Sequence, residues 1–110
     1  MLSIRPALVC AALLVLPFAT QAADPEFSIL IRNHKFDPAE LHVPAGQKIK
    51  LVVRNEDKTA EEFESKPLKR EKIIQGGTTA IIALGPLKPG SYPFAGEYHE
   101  DSAKGVIIAE

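Results

Sequence analysis

Sulfur is almost missing from this chain, whose 110 residues include one cysteine, Cys10, and one methionine, Met1. Cys10 falls inside an N-terminal apolar run, so the rest of the chain has no thiol for a disulfide, a covalent nucleophile or a soft metal centre. Excess charge of either sign is missing too. A formal net charge of −1 provides no basic footprint, which excludes nucleic acid as the partner. No stretch carries the period of a long amphipathic helix, and there is no internal repeat, low-complexity tract or linker. A Gly-x-Ser-x-Gly context, a P-loop and a dinucleotide fingerprint are also absent, leaving no hydrolase or transferase signature.

The first residues read as an export signal. Arg5 opens a short basic region, Pro6 to Phe18 is almost wholly apolar, and Thr20-Gln21-Ala22 offers small residues where a signal peptidase cuts. The apolar run is shorter than the ~20 residues of a membrane span, and Pro17 interrupts its end. Val9, which is not small, precedes Cys10 and speaks against lipidation. Residues 1–22 are therefore expected to be a cleaved signal peptide. Residues 23–110 then form a single 88-residue domain of formal net charge −2, Arg5 being the one charge lost. Its core must come from strand packing without disulfides.

Phe27, Ile29 and Ile31 alternate with Glu26, Ser28 and Arg32, and Ile49, Leu51 and Val53 alternate with Lys48, Lys50 and Arg54. Both segments have the period of a half-buried strand. Shorter strand candidates are 41–43, 62–65, 71–75, 78–84, 91–95 and 105–109, separated by Pro44-Ala45-Gly46, Gly76-Gly77 and the turn at 86–90. The pattern predicts an all-β, antiparallel β-sandwich. If each strand reverses the last, loops 33–39, 55–61, 76–77 and 96–104 share one end, and 44–47, 66–70 and 85–90 share the other. Counting Glu62 with the first end gives it eight acids, among them Asp37, Glu56, Asp57, Glu61, Glu97, Glu100 and Asp101, against Lys35, Lys58 and Lys104. The opposite end carries Lys48, Lys66, Lys69, Arg70, Lys72 and Lys88 against Glu71 alone. Such a dipole raises the local concentration of cations at the acidic end.

Several landmarks recur in one order: residues 36–41 (Phe-Asp-Pro-Ala-Glu-Leu), 43–46 (Val-Pro-Ala-Gly), Asn55-Glu56-Asp57, Glu61-Glu62-Phe63-Glu64, 87–92 (Leu-Lys-Pro-Gly-Ser-Tyr) and Lys104-Gly105. With the segment from Gly90 to His99, they make the chain resemble the cupredoxin superfamily, most closely the EfeO-type cupredoxin-like domain of bacterial ferrous-iron uptake. The resemblance implies a Greek-key sandwich. In copper-binding members a histidine follows the asparagine loop, where this chain has Glu61-Glu62. Their cysteine falls on Gly96, their second histidine on His99 and their methionine on Ala103, so only His99 survives. A type 1 blue copper centre is excluded by that loss. Glu62 matches a glutamate ligand of the iron-uptake branch, whereas cysteines found in some relatives at Phe36 and Gly96 are absent here. The implied role is a periplasmic accessory to an inner-membrane, high-affinity iron permease and its other periplasmic uptake components.

If the loops at 55–62 and 96–104 converge, Glu62, Glu97 and His99 supply two carboxylates and an imidazole, with Glu62 and His99 the leading ligands and Glu97, Glu61 and Glu64 behind them. On an extended segment Glu97 and His99 share a side, as do Glu62 and Glu64, while Glu61 points away. This donor set suits iron, manganese, zinc or Cu(II), and offers nothing to Cu(I). The resemblance makes iron the expected metal, carried or oxidised; oxygen donors favour Fe(III) over Fe(II), which would ease oxidation of bound Fe(II) as by a ferroxidase. A Cu(II) or Zn(II) carrier fits the same residues, and a metal-free interaction module on the same scaffold is a further reading. His34 could reach the site, His42 is expected to face solvent, and Tyr98 could support a ligand. Phe36, Phe63, Tyr92 and Phe94 read as core or rim packing.

Overall fold

Alternation builds two sheets that bury one face each. The computed structural model describes residues 3–4, 6–7, 10–16 and 23–110, so the cleavage site expected at 20–22 lies outside the described residues. Nine strands follow: β1 (Glu26–Arg32), β2 (Lys35–Asp37), β3 (Glu40–Val43), β4 (Ile49–Asn55), β5 (Glu61–Ser65), β6 (Arg70–Ile74), β7 (Thr79–Leu84), β8 (Gly90–Gly96) and β9 (Lys104–Ala109). They form sheets ordered β2-β1-β4-β7 and β3-β9-β8-β5-β6. Among the described residues a single 3₁₀ turn, Glu97–His99, interrupts the loop between β8 and β9. No helix among the described residues is long and apolar enough to cross a membrane.

Ile29, Ile31, Leu51, Val53 and Leu84 point inward from one sheet and meet Phe63, Ile74, Phe94 and Ile107 from the other. The rings of Phe36, Phe63 and Phe94 pack together with centroids 4.9, 5.0 and 6.2 Å apart. Each such side chain contributes about 1.5–3 kcal/mol by leaving water. Phe63 is fully buried, which fixes which face of β5 looks inward.

The all-β sandwich is as the sequence predicts, with two differences of detail. Lys35–Asp37, read as loop, is a short strand paired to β1 through a two-residue turn, Asn33-His34. Both turn residues have positive φ, 52° and 55°, as a tight hairpin reversal requires. Three residues are too few to show alternation, so the strand was invisible to periodicity. The second difference is that two pairings are parallel, β1 with β4 and β3 with β9. The first follows from Pro38-Ala39 carrying the chain from one sheet to the other without reversing it, the second from the even number of reversals between β3 and β9.

All other pairings are antiparallel, so the sorting of loops into two ends survives. At the acidic end, Asn55 ties three segments together. Its Nδ2 donates to the carbonyls of Thr59 at 2.9 Å and Ile74 at 3.0 Å, and its Oδ1 accepts from Asp57 N–H at 3.0 Å. Asp57 in turn accepts from the N–H groups of Asn33 at 2.8 Å and His34 at 3.0 Å. Asn55→Ala removes every partner that this fully buried side chain supplies. The expected cost is about 3 kcal/mol in urea unfolding, because unpaired buried polar groups cost roughly 1–3 kcal/mol each.

Candidate metal site

Glu61 shares the inward face of β5 with Phe63 and Ser65, and only 1% of it is exposed. A carboxylate buried so deeply needs donors. Its Oε1 accepts from the N–H of Tyr98 at 2.9 Å and of Glu62 at 3.0 Å, and its Oε2 is hydrogen-bonded to His99 Nδ1. The His34 ring stacks on that of His99 with centroids 3.5 Å apart. Ser102 Oγ donates to His34 O at 2.6 Å, which joins the β1–β2 turn to the loop that carries His99.

Glu62 and Glu64 lie on the outer face of β5, between core-facing neighbours. Glu62, Glu71 and Glu97 bring one carboxylate oxygen each to within 4.8 Å of one another. Partial burial raises the Glu62 pKa above its ordinary value, and the negative charges of Glu97 and Glu71 raise it further, against a hydrogen bond with Tyr98. Asp57 moves the other way: the N–H of His34, and then that of Asn33, favour its charged form over the cost of burial.

The five residues singled out from the sequence thus fall into two groups. Glu62 and Glu97 come together on the outer face, with Glu64 one step along β5, opposite Glu71. Glu61 and His99 form a separate inner pair. His34 does reach the tip, against His99. His42 is exposed and bonded to Glu110 at 2.6 Å and Glu40 at 3.3 Å, which raise its pKa, Glu110 foremost. Glu71 was missed because sequence order sets it among lysines. The signal that finds it is the β5–β6 register, which pairs Glu64 with Glu71 and Glu62 with Ile73.

A family profile for the cupredoxin-like domain matches residues 6–109. The chain belongs to the cupredoxin-like domain family. An uncharacterized protein of Rickettsia prowazekii (strain Madrid E) is 48% identical over 83 residues, covering 76% of this chain and 66% of that protein, just under two thirds of its length. Auracyanin A, a "blue" copper protein of the green thermophilic photosynthetic bacterium Chloroflexus aurantiacus, matches with a TM-score of 0.68 at 14% identity, over 80% of this chain and 100% of its own. Auracyanin from Roseiflexus castenholzii gives 0.64 at 18% identity, over 81% and 99%. A purple cupredoxin from Nitrosopumilus maritimus gives 0.58 at 16%, over 76% and 98%. At these identities the likeness shows the shared fold.

This cupredoxin-like domain does not fit a type 1 copper ion. Glycine and alanine stand where thiolate and thioether are needed. A Cβ on Gly96 would lie 2.7 Å from Glu61 Cδ, 2.8 Å from its Oε1 and 2.7 Å from the Cβ of Ala103. What the tip does offer is oxygen: three carboxylates outside, one within.

A carboxyl whose pKa is raised by folding favours the native state below the ordinary glutamate value and disfavours it once ionised. Glu62→Gln should therefore raise the melting temperature of the metal-free protein at pH 7. The gain should vanish as pH falls below the ordinary 4.5 of a glutamate. Thermal melts across that range check both halves.

Proposed function

We propose that this cupredoxin-like domain is an exported metal-binding protein that works in the periplasm beside a high-affinity ferrous-iron permease, with Glu62 and Glu97 as ligands and Glu71 completing an oxygen-rich cradle. The observation that carries the reading is the meeting of these carboxylates from three separate segments, β5, β6 and the 3₁₀ turn. Like charges so close repel, and Glu62 resists ionisation there. A divalent or trivalent cation reverses that penalty, since it displaces the proton and neutralises the cluster. Carboxylate donors suit iron and stabilise Fe(III) more than Fe(II), so bound iron is easier to oxidise.

Supporting the iron-uptake role are the EfeO-type landmarks and the clustering of acidic loops at one end. The opposite, lysine-rich end supplies a surface for a partner of the uptake machinery or for the anionic membrane face. Whether the protein turns iron over or hands it on depends on where the electron goes.

Anaerobic calorimetric titration with Fe(II) tests the reading. Saturable binding is expected, weakened at least ~10-fold by Glu62→Gln or Glu97→Gln, and tighter as pH rises through the Glu62 titration. Admitting oxygen then separates two roles: faster oxidation than in buffer marks a ferroxidase, an unchanged rate a carrier. Binding that both substitutions leave unchanged would sink the proposal. Competing Cu(II) and Zn(II) titrations rank the alternatives, with Cu(II) expected to bind most tightly in vitro whatever the native metal.

A further inference from the structure

We infer that the Glu61 carboxylate is the built-in occupant of the place a metal holds in blue copper members of the fold, and that it positions the 96–99 segment in the metal's stead. The inference concerns the inner face of the tip and does not depend on iron binding at the outer carboxylates.

By the resemblance to copper-binding members, their ligand positions fall on the Glu61-Glu62 segment, Gly96, His99 and Ala103, which come from two loops. Glu61 is the buried side chain that bridges those loops here. From β5 its carboxylate receives the Tyr98 N–H at 2.9 Å and bonds to His99 Nδ1, both in the second loop, as well as the N–H of Glu62 at 3.0 Å. Both carboxylate oxygens are engaged, and 1% of the residue is exposed. No buried side-chain polar atom among the described residues lacks a partner. The carboxylate also fills the space, since any side chain at Gly96 would meet Glu61 Cδ at 2.7 Å. Gly96 N–H donates to Ala103 O at 2.8 Å and Ala103 N–H to His99 O at 2.8 Å, so the loop closes tightly around it.

Two consequences follow. His99 is not free to ligate a metal at the inner position while Glu61 holds its Nδ1. And glycine at 96 is demanded by the carboxylate together with the Ala103 Cβ, each 2.7 Å from where a Cβ would stand.

The test uses Cu(II) as a spectroscopic probe together with amide hydrogen exchange. At one equivalent of Cu(II), the nitrogen hyperfine pattern of the wild-type electron paramagnetic resonance spectrum should be unchanged by His99→Gln. Glu61→Ala should acquire a pattern that His99→Gln abolishes, and should lose protection of the Tyr98 amide by about 10-fold or more, the scale of a lost hydrogen bond to a charged group. Glu61→Gln, which can accept the two N–H groups and donate to His99, should restore wild-type behaviour in both readouts. If Glu61→Ala fails to fold, the wild type and Glu61→Gln still decide the matter: a His99-dependent copper spectrum accompanied by loss of Tyr98 amide protection in either shows copper displacing residue 61 and overturns the inference. So does undiminished Tyr98 protection in folded Glu61→Ala. Failure here would leave iron binding at Glu62 and Glu97 standing, because carboxylates contribute no nitrogen hyperfine and the Tyr98 N–H is held by Glu61.

Discussion

A carboxylate shut away from water at one end of a β-sandwich must be matched donor for donor, and the arrangement of the tip follows from how Glu61 is matched. Its partners are 37 and 38 positions away in the chain, at Tyr98 and His99. Bringing them there requires β5 and β8 to pair, and the pairing is short: Phe63 with Gly96 and Glu64 with Ala95. Beyond it Pro93 has no N–H to continue the ladder, and Ser65 Oγ donates to Pro93 O at 2.8 Å instead. The contact between the two loops therefore rests on a brief backbone seam and one buried side chain. Disturbing Glu61 would be felt in the loop before it reached the hydrophobic core.

Hydrogen-bond accounting organises the rest of the same end. Asn33 and His34 occupy a left-handed turn that non-glycine residues adopt only with support, and Asp57 provides it through both N–H groups. Asn55 secures Asp57 and, through Ile74, the end of β6. His34, held in that turn, lies flat on His99. Asn55, Asp57, His34, His99 and Glu61 thus form one connected polar structure that caps the aromatic core beneath. Such networks define a unique geometry when every member is satisfied.

Much of this was legible in the residues. The strands showed as alternation, the turns as proline and glycine, and the sorting of acidic from basic loops followed from strand reversal. The resemblance to cupredoxins rested on landmarks such as Asn55-Glu56-Asp57 and Lys104-Gly105, and the fold agrees. The site was harder to read. Glu61 was expected to point away from Glu62 and Glu64, which it does, but the direction is inward. Phe63 held the clue, because a fully buried phenylalanine commits residues 61 and 65 to its own face. Burial of a glutamate runs against its usual preference for water, and the donors that permit it lie in a distant loop, where spacing says nothing. Glu71 was hidden for the same reason, its place being set by a hairpin register rather than by its lysine neighbours.

Inner and outer carboxylates share the same peptide segments. Glu61 points in and Glu62 out from adjacent positions of β5, while the 3₁₀ turn sends Glu97 outward and His99 inward with the Tyr98 N–H between them. Holding the inner pair therefore sets the spacing of the outer one. In a blue copper protein one ion both joins the loops and does the chemistry. Here the joining group is a side chain of β5, held to the second loop by hydrogen bonds. On the reading proposed above, a cation can enter and leave the outer carboxylates without the loops changing shape, and the repulsion among Glu62, Glu71 and Glu97 is restored each time it leaves. That repulsion limits how tightly the empty site can be organised, and with it how tightly the cation is held. On that same reading, a protein that hands its cation on gains from such a limit, whereas one built for permanent storage would bury its ligands.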